Sequence, residues 1–184
     1  MDAEELGTSR FLNILFKPAG AMMESRLRKW LFDPSRTLRG ADLKPGQTVL
    51  EVGCGTGFFT LLAADMIGED GHLIAMDTLS DYVDRVMQKT KTAGLTNVEV
   101  IRRDALNTQL PSASVDVVLL FGVIPFPTLP LSRLLPEMHR VLRDKGLMAV
   151  WLFPVSFGVP KSILNSGLFT DLGKTDGVYR YRRA

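Results

Sequence analysis

Three glycines, Gly53, Gly55 and Gly57, alternate with other residues directly after the apolar run Thr48–Val52. Glycine is needed where a turn is tight and where a ligand must approach the backbone closely. The residues that follow have a helical pattern, and a helix N-terminus offers unpaired N–H groups and the positive end of a dipole. This corner between a strand and a helix can therefore hold a carboxylate or a phosphate, although a tight turn without a ligand is the structural alternative.

The spacing of these glycines separates two classes of nucleotide-binding protein. A dinucleotide-binding loop follows the pattern Gly-x-Gly-x-x-Gly, which predicts glycine or alanine at position 58. That position is Phe58 here, and the third glycine comes one residue early. With the acid Glu51 two residues before the first glycine, the segment resembles the class I S-adenosylmethionine-dependent methyltransferases.

Two acids downstream of the glycines each follow a predicted strand. Asp77 lies about 20 residues past the glycine loop, where an acid commonly accepts hydrogen bonds from ribose hydroxyls. Its alternative role is to cap the next helix, which Ser80 fits better. In the family that the chain resembles, an acid at the position of Asp104 accepts the adenine amino group, and the backbone of the next residue, Ala105, also meets the ring.

The resemblance extends from about residue 43 to residue 182, and small methyltransferases of quinone-biosynthesis and related small-molecule types share this layout. It implies S-adenosyl-L-methionine as the cofactor and S-adenosyl-L-homocysteine as the product. Two features depart from the family: Asp144-Lys145-Gly146 replaces the usual Pro-Gly-Gly turn, and no long insertion separates the late strands. The residues expected to contact the cofactor are Glu51, Gly53, Cys54, Gly55, Thr56, Gly57, Asp77, Thr78, Asp104, Ala105 and Phe121.

The acceptor side contains no evident catalytic group. Methyl transfer from a sulfonium is an in-line displacement that removes positive charge from sulfur, so positioning and exclusion of water supply much of the rate without an obligatory base. Residues 121–127 would lie where open α/β sheets bind ligands, and none of them is Asp, Glu, His or Tyr. We expect them to border a small acceptor that is apolar or already nucleophilic, although packing as core and loop is the alternative from Val123 onward. The residues expected to line the acceptor are Gly122, Ile124, Phe126 and Trp30.

Short runs rich in β-branched residues alternate with helical stretches along most of the chain, which predicts βαβ units and a mainly parallel sheet. The prediction is an α/β, Rossmann-like, doubly wound sheet of seven strands with helices on both faces. Residues 1–42 form an N-terminal helical segment with a loop through Asp33-Pro34, either a lid over the cofactor or a layer on the sheet's flank, and residues 43–184 form the core of the single domain. Strands are predicted at 48–52, 72–76, 98–102, 115–121, 147–153, 169–172 and 178–182. Helices are predicted at 58–67, 80–93, 131–143 and 161–168, with Gly94 and Gly146 as stop signals after two of them.

Composition excludes several classes of protein. One cysteine allows no internal disulfide, and with two histidines it leaves too few ligands for a typical zinc site, so no metal is expected. The first ten residues carry three acids and no export signal. The longest apolar run, residues 117–126, is shorter than the roughly 20 residues that cross a bilayer. We expect a cytoplasmic protein without a membrane span.

Three other functions remain open at this point. Arg180, Arg182 and Arg183 alternate with Tyr179 and Tyr181, an arrangement that can bind RNA, although a net charge of +2 makes nucleic acid an unfavoured partner. A protein that binds the cofactor without transferring its methyl group is a second alternative, and a nicotinamide-dependent oxidoreductase, disfavoured by the glycine spacing, is a third. The two histidines, at positions 72 and 139, are expected to be structural. The sequence predicts neither the identity of the acceptor nor the oligomeric state.

Overall fold

The computed structural model describes residues 33–152 and 158–184, and predictions about residues 1–32, including the lid and Trp30, lie outside them, as do residues 153–157. Within the described ranges, no helix combines the length and the apolar character that crossing a membrane requires. The helices are α1 (Pro34–Gly40), α2 (Thr60–Ile67), α3 (Ser80–Thr92), α4 (Leu131–Val141) and α5 (Val159–Asn165). The strands are β1 (Thr48–Val52), β2 (His72–Asp77), β3 (Val98–Arg102), β4 (Val115–Phe121), β5 (Leu142–Trp151), β6 (Phe169–Thr175) and β7 (Val178–Arg183).

The strands form a single seven-stranded sheet in the order β3-β2-β1-β4-β5-β7-β6. Strands β1 to β5 run parallel to one another, whereas β7 is antiparallel to both β5 and β6. The chain builds outward from β1 to β3 and then returns to place β4 on the other side of β1. The C-terminal ends of β1 and β4 therefore form the switch point where sheets of this kind bind ligands. The predicted Rossmann-like fold is confirmed.

Apolar helices cover both faces of this sheet. Successive residues of a strand point to opposite faces, so Val49 and Leu50 of β1 belong to different core clusters. Leu50 packs in the cluster that contains Leu134 of α4, and Val49 packs in the cluster that contains Leu38 of α1 and Ala63 of α2. All five of these residues are completely buried. The central strands thus give the loops at their C-terminal ends a rigid base.

The start of β5 and the role of Gly146 were predicted wrongly. β5 begins at Leu142 because that residue already pairs with Val115 of β4. The five-residue step from Leu142 to Leu147 then opposes a two-residue step from Val115 to Val117, which makes this end of the strand irregular. Gly146 lies inside the strand, where an added Cβ would lie 2.8 Å from a backbone carbonyl oxygen. A helical pattern that runs directly into a strand has no turn residue to mark its end.

The remaining bounds differ from the predictions by a few residues. Asp33-Pro34 was predicted as a loop but begins α1, since the Asp33 side chain accepts a hydrogen bond from the N–H of Ser35 at 2.9 Å. Proline is favoured in a first helical turn because no intrahelical partner exists there for an N–H. The last helix begins two residues earlier and ends three residues earlier than predicted, and β6 extends to Thr175.

Candidate functional site

The loop between β1 and α2 crosses the C-terminal ends of the central strands. Gly53, Gly55 and Gly57 have φ values of 67°, 54° and 83°, a region that residues with a Cβ rarely adopt. The N–H of Cys54 donates a hydrogen bond of 2.9 Å to the carbonyl oxygen of Met76, near the end of β2. The glycines are therefore required by the path of the backbone, and the loop is fastened to the neighbouring strand.

Glu51 carries a carboxyl group into the interior beside this loop. Its side chain accepts a hydrogen bond of 2.7 Å from the hydroxyl of Thr60, in the first turn of α2. Glu51 is 3% exposed, and burial raises its pKa to about 8, with a further contribution from the charge of Asp77. With this pKa, the carboxyl group would ionise at neutral pH if a positive charge came close to it.

Asp77 is the last residue of β2 and contacts the glycine loop directly. One carboxylate oxygen accepts the N–H of Gly55 at 2.9 Å, and the other accepts the N–H of Leu79 at 3.0 Å. Desolvation raises the pKa of Asp77, opposed by these hydrogen bonds. Because a carboxylate oxygen can accept two hydrogen bonds, each oxygen can still accept one hydroxyl of a diol. The predicted N-cap was wrong: Ser80 is the first residue of α3, and the N-cap position is Leu79, without a side-chain cap.

The acid predicted to contact adenine lies close to Asp77. Asp77 pairs with Arg102 at the ends of β2 and β3, and Asp104 follows two residues later. The Asp104 side chain accepts the N–H of Leu106 at 2.9 Å, which closes a tight turn. Ala105, between them, is 5% exposed. The contact of this turn with a bound adenine stays a prediction, as do the other cofactor contacts, including that of Thr78.

This turn is anchored from α4 by residues that the sequence analysis missed. The carboxylate of Glu137 accepts the N–H of Thr108 at 2.8 Å and its hydroxyl at 2.6 Å. Arg140, three residues later on the helix, donates to the same carboxylate at 2.7 Å. The Arg140 hydrogen bond is the largest effect holding the pKa of Glu137 down, at about 2. An acid and an arginine three residues apart on a predicted helix could have indicated an ion pair. The sequence did not indicate that Thr108 would be their partner.

The segment predicted to border the acceptor begins where β4 ends. Phe121 is 8% exposed and packs edge-on against Phe59, with 5.0 Å between the ring centroids. Gly122 is exposed and has a φ of 72°. Phe126 is 46% exposed, whereas Ile124 is 1% exposed and belongs to the core. The lining roles of Gly122, Ile124 and Phe126 stay predictions, and Ile124 would contribute only as part of the wall behind an acceptor.

Val123 joins the two sides of the site and was not predicted to do so. A Cβ built on Gly53 would collide with a methyl group of Val123. The acceptor-side segment therefore lies directly against the first glycine of the loop. The contact depends on β4 lying next to β1, which the sequence alone does not reveal.

Lys89 is a second residue that was missed. Its ammonium group, on α3, donates a hydrogen bond of 2.7 Å to the carbonyl oxygen of Thr56 inside the glycine loop. Thr56 itself is 1% exposed. The loop is thus held by contacts from β2, α3 and the segment after β4.

His139 and Arg183 have structural contacts. His139 lies 3.3 Å from the carbonyl oxygen of Ala184, and its ring packs edge-on against Phe169. Tyr181 is 1% exposed in the core, and Arg183 donates a hydrogen bond of 2.7 Å to a backbone carbonyl of β5. The ring of Tyr181 is therefore not available to stack on a nucleic-acid base.

Comparisons with known proteins agree with this geometry. A family model described as a methyltransferase domain matches residues 49–146. Demethylmenaquinone methyltransferase of Listeria welshimeri is 33% identical over 122 residues, which cover 66% of this chain and 50% of that protein. The protein of the same name from Geobacillus stearothermophilus is 32% identical over 120 residues, or 65% and 49% of the two chains. The chain spans about half the length of these relatives.

The fold also matches solved structures. A SAM-dependent methyltransferase from Aquifex aeolicus superposes with a TM-score of 0.71 at 25% sequence identity. The match covers 90% of this chain and 96% of that one. The resemblance in structure therefore extends well beyond the residues that the family model covers.

Proposed function

Because this chain belongs to the family of methyltransferase domains, and within it to the class I type that depends on S-adenosylmethionine, we propose that it transfers a methyl group from this cofactor to a small acceptor molecule. The observation that carries the proposal is the glycine loop at the switch point, bound directly by Asp77 and flanked by the buried carboxyl group of Glu51. A loop of this kind leaves bare backbone for an adenosyl amino acid to lie against.

Each part of the cofactor would be bound by a different group of residues around the loop. Glu51 and the glycine loop would hold the amino acid portion, since a buried acid favours a nearby ammonium group. Asp77 would accept the ribose hydroxyls, and the turn of Asp104 and Ala105 would hold the adenine. When bound, the cofactor supplies a methyl group activated by a positively charged sulfur.

The acceptor segment can orient and desolvate a substrate but offers no proton acceptor of its own. The five residues that follow β4, 122–126, carry no titratable side chain. We therefore propose an acceptor that is small, largely apolar and already nucleophilic. The names of the two relatives, which specify demethylmenaquinone, support a small-molecule acceptor.

A second candidate is a protein that binds the cofactor but needs further polypeptide to act on an acceptor. The chain spans only about half the length of its relatives, which favours this alternative. The two candidates differ in one result. Formation of S-adenosylhomocysteine with any small acceptor, by this chain alone, supports the enzyme and contradicts the binding protein.

The binding site is tested by titrating the protein with S-adenosylhomocysteine in a calorimeter. Asp77→Ala is expected to weaken binding by about 1–3 kcal/mol, the scale for losing hydrogen bonds to a charged group. Asp84→Ala, an exposed acid on α3, is the matched control and should bind like the wild type. The Asp77 variant also loses the hydrogen bonds to Gly55 and Leu79, so its thermal unfolding is recorded to confirm that it is folded. Wild-type affinity in folded Asp77→Ala would remove this residue from the site.

A further inference from the structure

One peptide group of the glycine loop is held at both of its polar ends. The group joins Thr56 and Gly57. The N–H of Gly57 donates a hydrogen bond of 2.9 Å to the carbonyl oxygen of Cys54. At the other end, the carbonyl oxygen of Thr56 accepts a hydrogen bond of 2.7 Å from the ammonium group of Lys89. The plane of this peptide cannot rotate without breaking both hydrogen bonds.

Lys89 reaches the loop from a helix that is packed against it. Val86 lies three residues earlier, on the same face of α3. A Cβ added to Gly57 would lie 3.2 Å from a methyl group of Val86, so the helix and the loop are in close contact there. Val86 is completely buried, and Lys89 is half-buried. The lysine stem is therefore confined near the loop, which limits the entropy lost when its ammonium group binds.

The same helix is also fixed at its beginning by the acid proposed to hold ribose. Asp77 accepts the N–H of Leu79, the residue that precedes the first turn of α3. Lys89 of α3 thus contacts the glycine loop, and the N–H of Leu79, just before α3, contacts the carboxylate of Asp77. The helix therefore fixes the position of the loop relative to this carboxylate. A change at Lys89 alters the loop without touching Asp77.

We propose that Lys89 is a positioning residue for the cofactor, which fixes the orientation of the Thr56–Gly57 peptide so that the loop is preorganised for binding. This inference rests on the proposed function, because it takes the cofactor as the ligand of the loop. Lys89 acts through the backbone of Thr56. A preorganised loop binds more tightly because less ordering remains to be done when the ligand arrives.

The test compares three substitutions by titration with S-adenosylhomocysteine. Lys89→Met keeps the length of the side chain and removes the charge and the donors, and we expect about tenfold weaker binding, from the loss of one hydrogen bond to a charged group. Lys89→Arg keeps the charge and the donors, and is expected to restore binding to within about threefold of the wild type. Lys91→Met is the matched control, because Lys91 is exposed on the same helix, and its affinity should not change.

Amide hydrogen exchange gives an independent measurement. The N–H of Gly57 should exchange faster in ligand-free Lys89→Met than in the wild type, because its peptide group is then bonded at one end only. The exchange of a core amide such as that of Leu119 should not change. If Lys89→Met does not fold, Lys89→Leu takes its place, since it also removes the charge and the donors.

The outcomes separate the two proposals. If the wild type does not bind S-adenosylhomocysteine, the proposed function fails. If the wild type binds and a folded Lys89→Met or Lys89→Leu binds equally well, the proposed function stands and the role of Lys89 is overturned. A Lys89→Arg protein with wild-type thermal stability but without restored affinity overturns it too, because Lys89 would then only tie the helix to the loop.

Discussion

Glu51 joins two properties that rarely coexist, complete burial and an ionisable group. Its side chain accepts a hydrogen bond from the hydroxyl of Thr60, and burial raises its pKa to about 8. At neutral pH the carboxyl group of the ligand-free protein is therefore mostly protonated. A ligand that brings a positive charge beside Glu51 must lower this pKa, since opposite charges favour the ionised form.

Cofactor binding is thus expected to release a proton from Glu51. The carboxyl group is protonated in the free protein below about pH 8 and ionised in the complex, so affinity for S-adenosylhomocysteine should rise with pH and level off above about pH 8. Calorimetric titration at pH 7 in buffers of different ionisation enthalpy measures the protons released, which we expect to approach one per site. Glu51→Gln cannot ionise and should release none from this position. Equal proton release by both proteins would show that Glu51 does not face the ligand's charge.

At the scale of elements, the glycine loop is defined by its neighbours as much as by its own residues. Gly53 meets Val123 after β4, Gly55 meets Asp77 at the end of β2, and the last glycine meets α3. The glycine spacing, taken with the strand before it, Glu51 and the downstream acids, predicted the loop and the family correctly. The contacts of Val123 and Lys89 were not predictable, because they depend on which strands and helices become neighbours, and that order is set by the whole sheet.

The contact between Gly53 and Val123 predicts the effect of a single methyl group. Gly53→Ala would place a Cβ against Val123 at a φ of 67°, whereas Gly46→Ala meets no atom within 4 Å at a φ of 79°. Both substitutions strain the backbone, so their difference isolates the collision. We expect Gly53→Ala to lower the free energy of unfolding by about 2 kcal/mol more than Gly46→Ala, the range for overpacking a core.

Urea unfolding of both alanine variants measures this difference. Adding Val123→Ala to Gly53→Ala should recover part of the lost stability, because the smaller side chain leaves room for the new methyl group. If the two glycine variants are equally stable, the acceptor segment does not lie against the loop in solution.

The elements whose bounds were predicted correctly have one physical property in common. Buried parallel strands such as β1 and β4 read as continuous apolar runs, and their bounds matched. The failures occurred where an element begins without a turn: β5 follows α4 directly at Leu142, and α1 begins at Asp33-Pro34, a pair equally suited to a loop. Local residue types do not decide such cases, because pairing with Val115 fixes the start of β5.

At the scale of the whole molecule, the fold and the family were readable and the acceptor was not. The order of strands and helices indicates the sheet, and the glycine loop at its switch point indicates the family. The segment proposed to border the acceptor, after β4, is apolar, and its residues carry no distinctive chemistry. A run such as Val123-Ile124 has the same composition whether it lines a cavity or packs in the core.

The network of Glu137 links distant parts of the chain and predicts a dependence of stability on pH. Its pKa of about 2 in the folded protein lies below the ordinary value of 4.5, mainly because Arg140 donates to it. The stability that it contributes is therefore present above pH 4.5 and lost as pH falls through about 2. We expect this loss to be about 1.5 kcal/mol, the scale of a hydrogen bond to a charged group.

Urea unfolding between pH 2 and pH 6 tests this expectation. Glu137→Gln should lower stability at pH 6, and its difference from the wild type should become small near pH 2, because the wild-type carboxyl group is then protonated in the unfolded chain and about half protonated in the folded protein. Glu69→Gln, at an exposed acid, is the control and should follow the wild-type curve. A constant gap between Glu137→Gln and the wild type across this range would contradict the role assigned to the charge.

With the loop holding the cofactor and residues 122–126 bordering the acceptor, as proposed, the contact of Val123 with Gly53 would couple the two binding events. A compound that displaces Val123 alters the packing against the loop, and so changes the affinity of the loop for its own ligand. Thermodynamic linkage makes this effect mutual, so occupancy of the loop changes affinity on the other side by the same factor. The contact between one methyl group and one glycine would thus make the affinities for the two ligands interdependent, and a double titration would measure the coupling.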